Sequence, residues 1–138
     1  MPTEGSPVAT IPSNLDAITL FIADRKRSKA FYESAFGLAP IFEDDNSVAF
    51  KFDNTVVNLL ESRAAHDLIA PAAVADAGTA STFQLTIGVE DTDAACAQLA
   101  SRGVDLLNGP IDRPWGVRTA SFADPDGHIW EVAGEIPS

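Results

Sequence analysis

The sequence predicts an α+β protein of two βαβββ modules, and three observations predict it. Strand-like and helix-like stretches follow one another as strand, helix, three strands, and this order occurs twice. The two halves overlay residue on residue: Ala17-Ile18-Thr19-Leu20-Phe21-Ile22-Ala23-Asp24 matches Gln84-Leu85-Thr86-Ile87-Gly88-Val89-Glu90-Asp91, with Thr19 on Thr86 and Asp24 on Asp91. At the far end of each half, Val56-Val57-Asn58-Leu59 overlays Ile129-Trp130-Glu131-Val132.

Residues 1–14, rich in Pro, Ser, Thr and Gly, read as a flexible N-terminal arm. The first module spans 15–61. It opens with a strand over 16–22, after which Asp24 caps a helix over 25–36 and Gly37 stops it. Strand-like runs follow at 39–43, 47–52 and 56–61, separated by the turn formers Asp44-Asp45-Asn46 and Asp53-Asn54. Residues 62–80, with many Ala and a Pro, Asp and Gly, read as a connector that is helical in part. The second module spans 81–138: a strand over 82–89, a helix over 92–102 between Asp91 and Gly103, then strands over 104–107, 117–123 and 128–133. Between the last two, Asp124-Pro125-Asp126-Gly127 is a strong turn signal, because Pro125 presets its φ and Gly127 accepts a positive one.

A chain of 138 residues suits one domain, or two half-size modules sharing a core. No apolar run approaches the roughly 18–20 residues that span a bilayer, and the first residues have neither the basic start nor the apolar stretch of a secretory leader. The single Cys96 agrees with a reducing compartment, so the expected location is cytoplasmic. Twenty acidic against nine basic residues leave a net charge of −11, which repels nucleic acid and anionic membranes and attracts cationic small molecules; solubility alone also accounts for such a surface.

Strand parity separates two faces, because successive side chains point to opposite sides. Ile18, Leu20, Ile22, Leu85, Ile87, Val89, Val57, Leu59, Trp130 and Val132 share the apolar parity and are expected to pack under the helices. The other parity holds Ala17, Thr19, Phe21, Gln84, Thr86, Gly88, Asn58, Leu60, Ile129 and Glu131. This smaller, more polar face is the natural lining of a cavity. A carboxylate between Trp130 and Val132 on such a face needs a reason.

Asp24 with Phe31-Tyr32 in the first helix, and Phe122-Ala123-Asp124-Pro125-Asp126-Gly127-His128-Ile129-Trp130-Glu131 in the last hairpin, resemble signatures of the vicinal oxygen chelate superfamily. That superfamily groups glyoxalase I, extradiol dioxygenases, fosfomycin resistance enzymes and bleomycin resistance proteins. The resemblance runs from about Leu15 to Gly134 and implies that the strands of both modules curve into an open, barrel-like funnel. For metal-dependent members it implies a ligand on the first and the last strand of each module, which here are Ala17, Asn58, Gln84 and Glu131. Only Glu131 is a good anionic ligand; Gln84 is a possible neutral one, Asn58 a poor replacement for a carboxylate, and Ala17 has no donor. Parity turns the neighbouring Asp16 and Glu61 to the other face, and His66 and His128 fall at no ligand position. The expectation is therefore no metal and no cofactor, with a divalent metal as the alternative.

What remains is a funnel lined by Glu131, Gln84, Asn58, Thr19, Thr86 and Phe21, suited to a small organic molecule held by apolar contact and a few orienting polar groups. Pro114-Trp115-Gly116 and the acidic Phe42-Glu43-Asp44-Asp45 are similar to segments of bleomycin resistance proteins, which implies a homodimer that sequesters a cationic antibiotic, with Trp115 near the site's rim. The alternatives are a metal-dependent glyoxalase-type lyase or isomerase, an extradiol-type dioxygenase, or a structural or regulatory module. For Glu131 the competing expectation is a structural acid paired with Arg118 or Arg113. Cys96, Phe31, Tyr32 and Phe36 read as packing residues, and His128 as a surface residue starting its strand.

Overall fold

A computed structural model describes residues 11–76 and 78–138, so the expected arm over 1–14 lies largely outside the described residues. The first half folds as β1 (Ala17–Ile22), α1 (Arg25–Phe36), β2 (Pro40–Glu43), β3 (Ser47–Lys51) and β4 (Val56–Glu61). The short helix α2 (Ser62–Ile69) follows, and then β5 (Gln84–Gly88), α3 (Thr92–Ser101), β6 (Leu106–Asp112), β7 (Val117–Ala123) and β8 (Ile129–Glu135). The strands form two four-stranded sheets of the same topology, β1-β4-β3-β2 and β5-β8-β7-β6. In each, the first strand runs parallel to the last, which requires a helical crossover between them. The predicted α+β class and its duplication are therefore the observed architecture.

The helices start where the sequence places their caps. Asp24 accepts from the backbone N–H groups of Lys26 and Arg27, and Gly37 ends α1 in the left-handed region at φ 65°. Asp91 does the same for α3 through Ala94 N. Glu61 does not turn into the sheet's polar face. One carboxylate oxygen accepts from Arg25 N at 2.8 Å and the other from Arg63 Nε at 2.8 Å, so it ties the end of β4 to the start of α1.

One apolar core joins the two halves. Tyr32 of α1 stacks on Phe50 and Phe36 meets Phe52 edge-on within the first half, and the same two α1 rings meet Trp130 and Phe122 of the second, with Phe36 and Trp130 centroids 4.8 Å apart. Leu20, Ile22, Val57, Leu59, Cys96, Leu99 and Val132 complete the cluster. Each large side chain fully buried here contributes about 1.5–3 kcal/mol. Because the helix-side faces of both sheets share this core, their other faces, carrying Ala17, Thr19, Gln84 and Thr86, are left exposed.

Two stretches depart from the sequence reading. The strand expected over 104–107 is β6, which runs on to Asp112 through Gly109 and Pro110, with register shifts on both sides of Asn108. Bulges accommodate the Gly-Pro pair that would otherwise break a ladder. His128, expected at the surface, is largely buried, with 16% of its side chain exposed.

Candidate functional site

The last hairpin has a closed end and an open end. At the closed end, Asp124 is buried and accepts four hydrogen bonds: Tyr32 Oη at 2.7 Å, His128 Nδ1 at 2.7 Å, and the backbone N–H groups of Asp126 and His128. Trp130 Nε1 in turn donates to Tyr32 Oη at 3.1 Å. Asp126 reaches across to the first half, accepting from Ala23 N at 2.9 Å, Ser28 Oγ at 3.0 Å and Arg27 Nη2 at 3.1 Å. The turn is a polar rivet between β1, α1 and β8.

The charges there follow from these contacts. Burial pushes the Asp124 carboxyl up, but its bonds from His128 and Tyr32 outweigh that and hold it below the usual carboxylate range. Burial pulls the His128 imidazole down, and the Asp124 carboxylate overrides it and raises its pKa. Burial, and then the Asp124 charge, drive the Tyr32 phenol upward, so it stays a donor. Burial also raises the Cys96 thiol, which leaves it a packing residue rather than a nucleophile.

At the open end, Glu131 is half-buried. It accepts from Thr86 Oγ1 at 3.0 Å, and among the described residues no arginine, lysine or histidine pairs with it. Arg118 is held instead by Asp112 and Asp93, and Arg113 donates to Thr119 Oγ1 at 2.9 Å. The ion pair considered for Glu131 is thus replaced by partners from β6, β7 and α3.

The duplication persists in the register. Glu131 lies between Thr86 of β5 and Ser121 of β7, and Asn58 lies between Thr19 of β1 and Ala49 of β3. Ser121 and Ala49 are buried whereas Thr86 and Thr19 are exposed, so each face is open along its first strand and deeper toward its third. Gln84 is exposed at the start of β5, next to Ile129. Ala17 is exposed opposite Val56. Trp115 is 69% exposed in the β6–β7 loop, with the Arg113 guanidinium 6.0 Å from its ring centre.

The described residues enclose two cavities of note. One, of about 270 Å³, is walled by Thr19 and Phe21, by Asp76 of the connector and Phe83 just before β5, and by Asp126 and His128 at the last turn. The other, of about 450 Å³, lies between β1 and β5 and counts Thr86 in its wall. Neither is lined by Glu131, Gln84, Asn58 or Trp115. The chain thus brings Thr86 to Glu131 and Thr19 to Asn58, while Asn58 and Glu131 lie in different sheets.

A family model described as the glyoxalase/bleomycin resistance protein/dioxygenase superfamily matches residues 14–132. The chain belongs to this superfamily. Solved structures share the fold. A glyoxalase/bleomycin resistance protein/dioxygenase from Nocardioides superposes with a TM-score of 0.82 at 20% identity, over 95% of this chain and 89% of that one. A glyoxalase-related enzyme from Fulvimarina pelagi gives 0.77 at 27% identity, over 90% and 89%. A lactoylglutathione lyase from Agrobacterium tumefaciens gives 0.71 at 20% identity, over 89% and 94%. No curated sequence gives a significant match. Among the described residues of this superfamily member, no helix is long and apolar enough to cross a membrane.

The rivet at Asp124 and Asp126 was not found from the sequence, which marked Asp124-Pro125-Asp126-Gly127 as a turn and as part of the last-hairpin signature, with no partners for its acids. The available signal was two acids and a histidine beside a strand otherwise committed to the core.

Proposed function

We propose that this superfamily member binds a small organic molecule without a metal, on the polar face around Glu131, and that a second copy of the chain closes the site. The donor set carries the first part. Of the four positions where the superfamily places metal ligands, Ala17 has no donor atom, Asn58 and Gln84 offer neutral amides, and Glu131 is the one carboxylate. Among the described residues, no group of three or more His, Cys, Asp or Glu side chains is placed to hold a metal. A divalent ion normally takes three or more protein ligands, so these residues do not fit one.

The same residues suit a cationic ligand with an aromatic part. Glu131 supplies charge, Thr86 fixes its orientation, and the exposed Trp115 offers a ring face for stacking or cation–π contact. A net charge of −11 favours the approach of such a molecule. An antibiotic of the basic glycopeptide type is the leading candidate. Closure by a partner is supported by the exposed faces and by Ile41, Phe42, Leu107 and Ile111, apolar side chains left in contact with solvent on the edge strands β2 and β6.

Isothermal titration in EDTA against a panel of basic glycopeptide and other cationic aromatic drugs tests this reading. Saturable binding that weakens about tenfold or more in Glu131→Gln is expected, equivalent to about 1.4 kcal/mol. Absence of binding across the panel at millimolar concentration removes the drug assignment. Sedimentation of the free chain as a monomer at working concentration removes the second copy.

A further inference from the structure

The cavity between β1 and β5 is built differently from the face around Glu131. Its deep walls are Ile18, Val57, Leu85, Ile87 and Trp130, with Phe52 stacked on Trp130 at 5.5 Å and 15°. These strand residues have the opposite parity to Ala17, Asn58, Gln84 and Glu131, so the cavity lies on the helix side of the sheets, at the seam between the two halves. Val57 and Trp130, its most buried walls, are 2% and 3% exposed. Ser13, Asn14, Asn54 and Thr55 edge it, and Ser13, Asn14 and Asn54 are exposed, which sets the mouth on that side.

Among the described residues no charged side chain lines this cavity, in a protein of which 21% is charged. At about 450 Å³ it falls within the roughly 300–1,000 Å³ range of small-molecule sites, which are mostly apolar with a few polar groups that fix orientation. An apolar space of that size gains little from water, since the floor offers it no partners. Of the polar groups at the mouth, Asn14 is engaged with Asp16 and Thr55 with the Leu15 carbonyl. The Asn54 amide makes no hydrogen bond among the described residues and can both donate and accept.

We propose that this seam cavity is a second binding site, for an uncharged, flat, largely apolar molecule carrying one polar group that Asn54 holds at the mouth. Asp16 is bonded to Asn14 at the mouth but does not line the cavity, so an ion that enters loses its hydration against walls that offer no counter-charge among the described residues. The site stands independently of the open-face reading: its walls, parity and ligand chemistry all differ. Thr86 is the one residue common to the two, lining the cavity while its hydroxyl donates to Glu131.

The two tryptophans make the test direct, because each gives one indole N–H signal in a ¹⁵N-resolved spectrum, and Trp115→Phe assigns them. Titration with 1-naphthol is expected to shift the Trp130 signal saturably and leave Trp115 in place. Leu85→Phe, which fills the cavity with an apolar side chain, should weaken binding at least tenfold. Asn54→Ala, at an exposed turn, should weaken 1-naphthol to the affinity of naphthalene without changing naphthalene itself. Naphthylmethylammonium should bind at least tenfold more weakly than 1-naphthol. A Trp130 signal unmoved up to the solubility limit overturns the proposal, as does a shift of Trp115 alone. So does equal affinity in Asn54→Ala together with a Leu85→Phe protein that keeps its far-UV spectrum.

Discussion

The two ends of the last hairpin set carboxylates of the same strand-turn-strand unit in opposite circumstances. Asp124 and Asp126 have every nearby donor drawn to them from α1, β1 and β8, and both are buried. Glu131, a few residues on, is met by one threonine hydroxyl. A buried carboxylate saturated by its own chain serves the fold, because losing it leaves several groups unpaired. A half-buried carboxylate with one neutral partner keeps lone pairs for something else. The difference separates the carboxylates that hold the two halves together from the one left open.

Substitutions at the closed end should therefore cost stability, and substitutions at the open end should not. The largest effect is expected for Asp124→Ala, which orphans the Tyr32 hydroxyl, the His128 ring and two backbone N–H groups. A loss of about 3 kcal/mol or more in urea unfolding is expected; a loss under about 1 kcal/mol would remove the rivet. Tyr32→Phe keeps the ring and deletes the hydroxyl between Asp124 and Trp130, and should cost about 1–3 kcal/mol by the same measurement.

The pH dependence sharpens the contrast further. The folded pKa of His128 is raised, so its contribution is complete below the unfolded value of about 6.5 and is lost as pH rises through the folded one. Asp124 is depressed, so its contribution is present above about pH 4 and is lost as pH falls through its folded value. The hairpin should be firmest between about pH 4 and 6.5, and His128→Asn should flatten the decline in melting temperature on the alkaline side. An unchanged decline in that variant would assign it to other groups. The smallest effect belongs to Glu131→Gln, which leaves Thr86 an acceptor and should alter unfolding by no more than about 0.5 kcal/mol.

Much of the architecture was legible because local signals agreed with the global fold. Asp24, Gly37 and Asp91 mark helix ends by backbone chemistry that needs no tertiary context. Parity sorted Leu20, Val57, Trp130 and Val132 into the core because alternation in a half-buried strand records which side is covered. The continuation of β6 past Leu107 was hidden by Asn108-Gly109-Pro110, which reads as a turn unless a partner strand can accommodate bulges. The environment of His128 was hidden for a related reason. Its partners Asp124 and Tyr32 converge through a turn and a helix from the other half, and sequence spacing does not record such meetings. At the candidate site, chain order could place Glu131 and Asn58 at equivalent strand positions. It could not show that each is flanked by a threonine and by a buried small residue, or that Arg118 is already taken by Asp112 and Asp93.

The central claim is that Glu131 is a ligand-facing carboxylate and not one leg of a metal site. Elemental analysis of the chain purified without chelator tests it most directly. The account predicts divalent metal far below one equivalent per chain, in wild type and in Glu131→Ala alike. One equivalent of a divalent metal in wild type, lost in Glu131→Ala, would contradict it and favour the glyoxalase-type or dioxygenase chemistry of the superfamily.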